Sequence, residues 1–360
     1  MSVADYFSPD FACARERFRA TAQRAGATLT SYGLPDRRGP HDELLTIDVA
    51  RLGAQRADRA LLIISGTHGV EGFCGSGCQV GFLTDRLHEA LPDACCAVLV
   101  HALNPYGFAW LRRVNEDGVD LNRNFVDFSQ PLPSSAAYEQ LHEHLVPEDW
   151  NAEGRRAADG ALQAFARQHG SRALQTAITA GQYTRPTGLF YGGERSAWSA
   201  LTLRKILREV LPPAIRRLAV LDLHTGLGPP GYGEPIVIAR RSTDWERACR
   251  WYGPEVRNLS ADESVSVPLV GTVPQGIEAA LPEVELTAIG LEFGTRPEIE
   301  VLTALRADHW LHAHDTAAAA QRAAIGRQMR DAFYSESPAW QAAVYGRTAD
   351  FVLRACRGLT

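Results

Sequence analysis

Little in this sequence of 360 residues points to a membrane, to nucleic acid or to secretion. No uninterrupted apolar stretch approaches the roughly 18–20 residues that a bilayer-spanning helix needs. The first residues, MSVADYFSPDFACARERF, lack a basic segment followed by an apolar run, so we predict no secretory signal and expect a cytoplasmic location. The net charge is −5 without long runs of one sign, so we expect neither a nucleic-acid partner nor a membrane partner.

Cysteine is scarce and irregularly spaced. The chain has seven cysteines, an odd number, and no second pair accompanies Cys74 and Cys78. A disulfide framework needs paired cysteines in a regular pattern, so we predict free thiols, most of them buried. A structural zinc site, which is usually closed and rich in cysteine, is disfavoured for the same reason.

The rest of the composition, 45% hydrophobic and 22% charged, is typical of a globular protein with a large core. Short apolar segments typical of buried strands alternate with longer helical patterns, which predicts an α/β fold with a mixed, mostly parallel sheet and helices on both faces. No repeat or linker divides the chain, so we predict a single domain over residues 1–360. The predicted strands are 44–50, 60–65, 96–102, 217–223, 234–239 and 286–293; the predicted helices are about 72–90, 135–145, 155–179 and 196–210, followed by three in the C-terminal third.

Polar residues follow three of the predicted strands. One strand leads into His68 and Glu71, another into His224, and a third into Glu292. Because parallel strands bring their carboxyl ends to one edge of a sheet, these residues are expected to meet there. A histidine and a glutamate three positions apart on a helical turn point the same way, and two histidines with a glutamate are a known set of ligands for catalytic zinc.

Glu292 and Arg113 are candidates for the chemistry beside such a metal. A glutamate within an apolar strand is costly unless it has a partner or a task, and Glu292 can take a proton from water and deliver it to a leaving amine. The alternative for Glu292 is an ion pair, for example with Arg296. Arg113 lies in a long polar loop predicted from residue 104 to about 133, where an arginine can bind a carboxylate or stabilise an oxyanion. The alternative for that loop is a solvated segment with structural ion pairs.

The order of these motifs resembles the M14 metallocarboxypeptidase superfamily. More narrowly, residues 181–193 and 223–228 resemble a bacterial branch known as DUF2817. The resemblance covers roughly residues 40–315 and implies a zinc carboxypeptidase-like fold. In sequence order, the motifs that carry it are His68-x-x-Glu71, Asn104-Pro105-Tyr106-Gly107, the run from Arg113 to Phe125 (RVNEDGVDLNRNF), His224 and Glu292.

The resemblance also implies a role for each site residue. His68, Glu71 and His224 would hold one zinc ion per chain, and Glu292 would be the general base and acid. Arg113 matches the arginine that polarises the scissile carbonyl. The remaining candidates all concern substrate binding: Asn122 and Arg123 match the pair that binds a terminal carboxylate, and Tyr191 and Tyr232, in glycine-rich loops, are candidates for a substrate-contacting tyrosine.

The resemblance has one clear departure from the digestive carboxypeptidases. The gap between Glu71 and His224 is long and contains a helical insertion at about 135–180. An insertion of this kind can narrow the cleft and exclude long peptides. We therefore expect a zinc-dependent hydrolase that cleaves an amide bond next to a free carboxylate in a short peptide or an N-acyl amino acid.

Two other functions stay open on the sequence alone. One is a deacylase like those of the aspartoacylase and succinylglutamate desuccinylase branch, and the other is a ligand-binding module without catalysis. A competing metal site is His309, His312 and His314 near Asp308 and Asp315, although packing and surface roles are favoured there. The glycines at 226, 228 and 231 match a dinucleotide fingerprint by letter, but no predicted helix follows them and we expect a loop.

Overall fold

The computed structural model describes residues 2–238, 241–259, 264–314 and 317–360. Within these residues, one sheet contains eight strands: β1 (Thr28–Arg38), β2 (Leu44–Gly53), β3 (Arg59–Ile64), β4 (Cys95–His101), β5 (Arg217–Pro230), β6 (Gly233–Val237), β7 (Arg257–Asn258) and β8 (Glu285–Gly294). Their order across the sheet is β1-β2-β4-β3-β5-β8-β6-β7.

The four central strands, β4, β3, β5 and β8, are all parallel to one another. Antiparallel pairs flank them, with β2 beside β4 and β1 beside β2 on one side, and β6 beside β8 on the other. The predicted mixed, mostly parallel sheet is confirmed. Since β3, β5 and β8 run in the same direction, their carboxyl ends lie at one edge of the sheet.

Helices cover both faces of this sheet. The helices in the described residues are α1 (Phe11–Arg24), α2 (Gly72–Thr84), α3 (Pro105–Ala109), α4 (Ala136–Leu145), α5 (Ala152–His169), α6 (Ser171–Thr179), α7 (Trp198–Glu209), α8 (Ser242–Tyr252), α9 (Val273–Ala280), α10 (Glu298–Ala313), α11 (Ala319–Phe333) and α12 (Pro338–Gly358). Alternate residues of β3 point to opposite faces, so Leu61 and Ile63 pack with α1, α2 and α12 while Leu62 and Ile64 pack with α7 and α9.

The structure differs from the sequence-based assignment in several elements. The predicted helix at 155–179 is two helices, because Gly170 between them adopts a φ of 92° that ends α5. The predicted helix at 72–90 ends at Thr84, and the predicted loop after residue 104 contains α3. The sequence-based assignment missed α1, α8, α9, β1 and β7, and position 239 of the predicted strand 234–239 lies outside the described residues.

All seven cysteines lie in the described part of the chain, and all are free thiols, as predicted. Five of them are buried, while Cys249 is half-buried and Cys13 is exposed. A separate observation concerns the helices: among those described, none is both long and apolar enough to cross a membrane.

Candidate metal centre

A sharp turn after β3 sets the positions of His68 and Glu71. The chain enters α2 through a short turn at Gly69–Glu71, and the amide of Gly69 donates to the carbonyl of Arg113 at 3.0 Å. A Cβ at Gly69 would come within 2.1 Å of the backbone of Gly107, so only glycine permits this approach. The turn that carries His68 and Glu71 is thereby fixed against the segment that carries Arg113.

Three donor side chains converge at this turn. Nδ1 of His68 lies 2.9 Å from Oε1 of Glu71, and Nδ1 of His224 lies 3.1 Å from Oε2 of Glu71. The two Nδ1 atoms are 3.2 Å apart, and all three residues are buried. Ligand atoms bonded to a tetrahedral zinc ion at 2.0–2.1 Å lie about 3.3 Å apart, so this spacing fits a metal ion. Among the described residues, these three form the one group of His, Cys, Asp or Glu side chains whose ligand atoms lie close enough together to hold a metal ion.

Carboxylates behind the two histidines orient the rings. Nε2 of His68 is 3.2 Å from Oδ1 of Asp120. Nε2 of His224 is 2.8 Å from Oδ2 of Asp222, in an ion-pair contact without the angle of a regular hydrogen bond. Asp222 is itself held by the hydroxyl of Thr67 at 2.7 Å. Each ring therefore has its Nε2 beside one supporting carboxylate and its Nδ1 directed at Glu71 and the other ring, as in metal sites with supporting carboxylates.

The charged groups of this cluster shift one another's pKa values. Burial by itself raises the pKa of Glu71, but His68, His224 and Arg113 outweigh burial and hold that pKa far below its usual range. Burial lowers the pKa of His224, whereas Asp222 and Glu71 raise it well above the ordinary value. A metal ion would replace the proton on His224, so metal binding at this site releases a proton.

Glu292 lies beside His224 because the two residues pair in register on β8 and β5. Its Oε1 accepts a hydrogen bond from the amide of Leu227 at 3.1 Å. Burial and the neighbouring Glu71 raise the pKa of Glu292 to about 7. The alternative ion pair with Arg296 does not form, since Arg296 donates to a backbone carbonyl of α11 instead.

Arg113 is packed into the site and its side chain is only 13% exposed, so its loop is not a solvated one at this point. One terminal nitrogen lies 2.9 Å from Oε1 of Glu71, and Nε lies 3.1 Å from Oδ2 of Asp120. The other terminal nitrogen is 2.8 Å from Nε2 of His68. All three guanidinium nitrogens therefore contact protein groups of the metal centre.

Arg123 carries a buried positive charge without a carboxylate in hydrogen-bonding contact. Its terminal nitrogens donate to the carbonyls of Asn122, at 2.8 Å, and Thr179, at 2.5 Å. Within the described part of the chain its Nε has no partner, and burial lowers its pKa. The side-chain oxygen of Asn122 accepts from the amide of Val273 at 2.9 Å. A buried guanidinium with an unused N–H is suited to an anionic ligand.

Six of the predicted site residues line one cavity of about 440 Å³. His68, His224, Glu292, Arg113 and Arg123 all contribute to its wall, as does Asn122. The remainder of the wall is mostly apolar and comes largely from α6, α10 and the segment before α9. Its large apolar members are Leu174, Ile178, Phe190, Leu227, Ile236, Ile238, Leu259, Leu269, Pro274, Ile299, Val301, Leu302, Leu305 and Phe333.

The structure does not bring the two predicted tyrosines into this cavity. Neither is among the described residues that line it. Tyr191 is buried and pairs with Gln182 in an isolated bridge, while its carbonyl accepts from the amide of Asp120. Tyr232 is 42% exposed, and its ring packs under the guanidinium of Arg347. Tyr191 therefore supports the loop behind the site, and Tyr232 lies on the surface.

The competing histidine cluster does not converge on a common point. The Nδ1 atoms of its three rings contact three different carbonyls, those of Thr187, Asp308 and Trp310. Asp308 is paired with Arg112 at 3.0 Å, and residue 315, also predicted to belong to this cluster, lies outside the described residues. These contacts agree with the packing role favoured from the sequence.

The glycine pattern at 226–231 belongs to a strand and a turn. Strand β5 continues through Pro230 and is followed by β6, so no helix N-terminus is available there for a phosphate. The predicted loop was therefore wrong for most of this segment, which is extended strand as far as Pro230.

Sequence reasoning missed three contributors to the site. Asp222 stands two positions before His224 on a strand, and this spacing, which puts both side chains on one face, is a signal that could have revealed it. Asp120 was part of a recognised motif but received no role. The residues of α6 gave no signal, because only the tertiary fold brings them to the cavity.

A sequence profile described as "Protein of unknown function (DUF2817)" matches residues 7–347. The chain belongs to this family. The predicted DUF2817 resemblance is thereby confirmed for this chain, and a search of curated protein sequences finds no significant match.

Several solved structures are similar to this DUF2817 protein at low identity. A metallo-carboxypeptidase from Burkholderia cenocepacia shares 13% identity and a TM-score of 0.42, with 88% of this chain and 66% of that chain covered. Bovine thrombin-activatable fibrinolysis inhibitor, in complex with tick carboxypeptidase inhibitor, shares 11% identity with a TM-score of 0.44. The match covers 96% of this chain and 98% of that chain. A succinylglutamate desuccinylase from Silicibacter sp. TM1040 shares 12% identity with a TM-score of 0.41, and the match covers 85% of this chain and 65% of that chain. The chain thus spans slightly less than two thirds of the first and third of these proteins.

Proposed function

We propose that this DUF2817 protein is a zinc-dependent hydrolase that cleaves an amide bond next to a free carboxylate, in a short peptide or an N-acyl amino acid. The observation that carries this proposal is a convergence at one cavity. His68, His224, Glu292 and Arg123 line this cavity, and Glu71 completes the donor group with the two histidines.

His68, Glu71 and His224 would hold the metal, one ion per chain. Two imidazole nitrogens and a carboxylate suit zinc, whereas magnesium and calcium prefer oxygen ligands alone. A zinc ion in a site of this kind lowers the pKa of water to about 7 and acts as a Lewis acid toward a carbonyl. The coupled charges of the three residues fit this assignment, because a cation would compensate Glu71 and take the place of the proton on His224.

Glu292 would carry the proton. It would accept a proton from the water whose oxygen bonds to the carbonyl carbon, and it would then give that proton to the leaving nitrogen as the C–N bond breaks. The products are a carboxylate and an amine. A pKa raised to about 7 makes both the ionised and the protonated form accessible near neutral pH, which a proton shuttle requires.

Arg123 and Asn122 would bind the free carboxylate of the substrate. The unpartnered Nε of Arg123 supplies a donor that the protein leaves unused in the described residues. Arg113 would stabilise the oxyanion that develops on the carbonyl oxygen. For this, Arg113 must release one of its present contacts with Glu71, Asp120 or His68.

The wall of the cavity favours this reaction over removal of a charged acyl group such as succinyl. A succinyl group brings a second carboxylate, which needs a further cation. Among the described residues that line the cavity, the arginines are Arg113 and Arg123, and Arg113 is already neutralised by Glu71 and Asp120. An apolar acyl group or side chain matches the aliphatic lining. We further propose that the whole chain is one domain, with α4–α6 as its helical insertion.

Hydrolysis of two matched compounds tests the proposal. N-acetyl-L-leucine and acetyl-trialanyl-L-leucine both end in a leucine carboxylate next to an amide. We expect zinc-loaded protein to release leucine from at least the first, a chelator to abolish release, and Glu292→Gln to reduce it strongly. Release from neither compound, or release that Glu292→Gln leaves intact, would contradict the proposal.

A further inference from the structure

Helix α6 of the insertion forms part of the cavity wall. Leu174 and Ile178, one turn apart on this helix, line the cavity, as do Leu302 and Leu305 of α10. Leu269, from the segment before α9, also contributes. The insertion is therefore an integral part of the candidate site.

Two polar side chains of α6 donate hydrogen bonds to the three consecutive backbone carbonyls of residues 264–266. Arg172 donates to the carbonyls of Ser264, at 3.3 Å, and Ser266, at 2.6 Å. Gln175 donates to the intervening carbonyl of Val265 at 2.8 Å. Arg172 also donates to Gln175 at 2.8 Å, so the two side chains position each other. Hydrogen bonds to consecutive carbonyls fix the position of this backbone segment beside the helix.

Glu234 holds the same segment from the other side. Its Oε1 accepts hydrogen bonds from the hydroxyl of Ser264, at 2.9 Å, and from the amide of Val265, at 3.0 Å. Glu234 is buried on β6, in register with Glu292 on the antiparallel strand β8. The segment is thus tied both to the insertion and to the strand next to the proposed proton carrier.

The far end of α6 contacts the proposed carboxylate-binding arginine. The carbonyl of Thr179, the last residue of the helix, accepts a hydrogen bond from Arg123 at 2.5 Å. One helix therefore links residues 264–266 with the orientation of Arg123. A shift of α6 would disturb both the wall of the cavity and the group that is proposed to bind the substrate carboxylate.

We propose that α6 and residues 264–269, together called the length wall, restrict the substrate to a small molecule that carries one apolar group beside its free carboxylate. Arg172, Gln175 and Glu234 act as positioning residues for this wall. The inference rests on the proposed function and adds the substrate class. A cavity of about 440 Å³ is in the usual range for a small-molecule ligand, and α6 forms part of its wall.

The test compares N-acetyl-L-leucine with acetyl-trialanyl-L-leucine. We expect the zinc-loaded protein to prefer the short compound in kcat/KM. The double variant Arg172→Ala, Gln175→Ala removes the bonds to three carbonyls and should reduce this preference about tenfold or more, mainly through a lower KM for the long compound. Thr176→Ala, an exposed change on the same helix, serves as the matched control and should leave the preference unchanged.

Two further measurements separate positioning from general damage. Arg172→Lys keeps the charge and part of the donor capacity, so it should restore part of the preference that Arg172→Ala loses. Hydrogen exchange at the amide of Val265 should accelerate in the double variant, while the amides of central strand β5 stay protected. Unchanged exchange and an unchanged preference in a folded double variant would overturn the length wall.

Binding distinguishes failure of the wall from failure of the reaction. Affinities of both compounds are measured by calorimetry on Glu292→Gln. Hydrolysis of both compounds with equal efficiency by the unmodified protein would contradict the length wall alone. Selective binding of the short compound without hydrolysis by the unmodified protein would contradict the proposed reaction and support the wall. Binding of neither compound would contradict both.

Discussion

His224 and Glu292 occupy the same register position on the neighbouring parallel strands β5 and β8. Their side chains consequently point to the same face of the sheet, at a strand spacing of about 4.8 Å. Backbone hydrogen bonds of two central strands, rather than a loop, thus set the distance between a proposed metal ligand and the proposed proton carrier. Catalytic groups supported in this way are held more rigidly than groups on loops.

The first prediction concerns metal content. Protein prepared without chelators should contain about one zinc per chain, because two buried Nδ1 atoms 3.2 Å apart and a carboxylate with an oxygen within 3.1 Å of each form a set of three ligands. His224→Ala should lose the metal, since two ligands remain. Elemental analysis of both proteins checks this. Zinc retained in His224→Ala would show that the ligand assignment is wrong.

The second prediction is that Glu292→Gln lowers kcat by about 10²–10⁴-fold, the usual contribution of general acid–base catalysis. Glutamine has the same shape and can still accept from the amide of Leu227, so zinc content should be unchanged. Steady-state kinetics with N-acetyl-L-leucine and elemental analysis test both parts. A fall in kcat that merely follows loss of zinc would argue against a proton-carrying role.

The third prediction is an acid limb in the pH dependence of kcat/KM. The base must be ionised, so activity should rise with pH as Glu292 loses its proton and should level off above the pKa. Burial and Glu71 raise that pKa to about 7, whereas the positive charge of bound zinc opposes them. We therefore expect a midpoint at or below pH 7. A limb centred above pH 8, or activity that falls with rising pH over this range, would contradict the assignment.

The fourth prediction concerns the carboxylate behind His68. Asp120→Asn preserves shape but removes the charge that lies 3.2 Å from Nε2 of His68 and 3.1 Å from Nε of Arg113. Zinc affinity should fall about 10–100-fold, as for other supporting residues of metal sites. Competition with a chromogenic chelator measures this. Asp127→Asn, an exposed change further along the same loop, is the control and should bind zinc normally.

The fifth prediction tests recognition of the free carboxylate. Arg123→Gln should raise KM for N-acetyl-L-leucine about 10–100-fold, the range for loss of a charge-assisted hydrogen bond. For the C-terminally amidated analogue, which has no carboxylate, the variant and the unmodified protein should not differ. An equal loss on both compounds would indicate a structural role, because Arg123 also binds the carbonyls of Asn122 and Thr179.

The sequence predicted the centre of the sheet better than its edges. Strands β3 and β4 are mostly apolar runs buried on both faces, so their composition alone indicated them. Strand β1 is different, because Leu34 is its one buried residue and its pairing with β2 is interrupted between Gly33 and Arg38. An edge strand of this kind has neither an apolar run nor a regular alternation to identify it.

The candidate site was likewise predictable from the sequence only in part. His68, Glu71, His224 and Glu292 could be placed together in advance, because the carboxyl ends of parallel strands meet at one edge. The contacts of Arg172 with residues 264–266 could not, since no local pattern links positions more than 90 residues apart. The tyrosines were misplaced for a related reason: glycine-rich loops indicate turns but not the direction in which a neighbouring ring points.

The close packing of Gly69 on Gly107 affects the order in which parts of the structure unfold. The turn that carries His68 and Glu71 cannot separate from the chain leading to Arg113 without breaking this contact and its backbone bonds. His224 leaves only if β5 opens, which requires disruption of the central sheet. The two parts of the length wall, by contrast, are joined mainly by side-chain hydrogen bonds to residues 264–266. Heating should therefore release the wall before the metal, so that substrate selectivity is lost at a lower temperature than zinc.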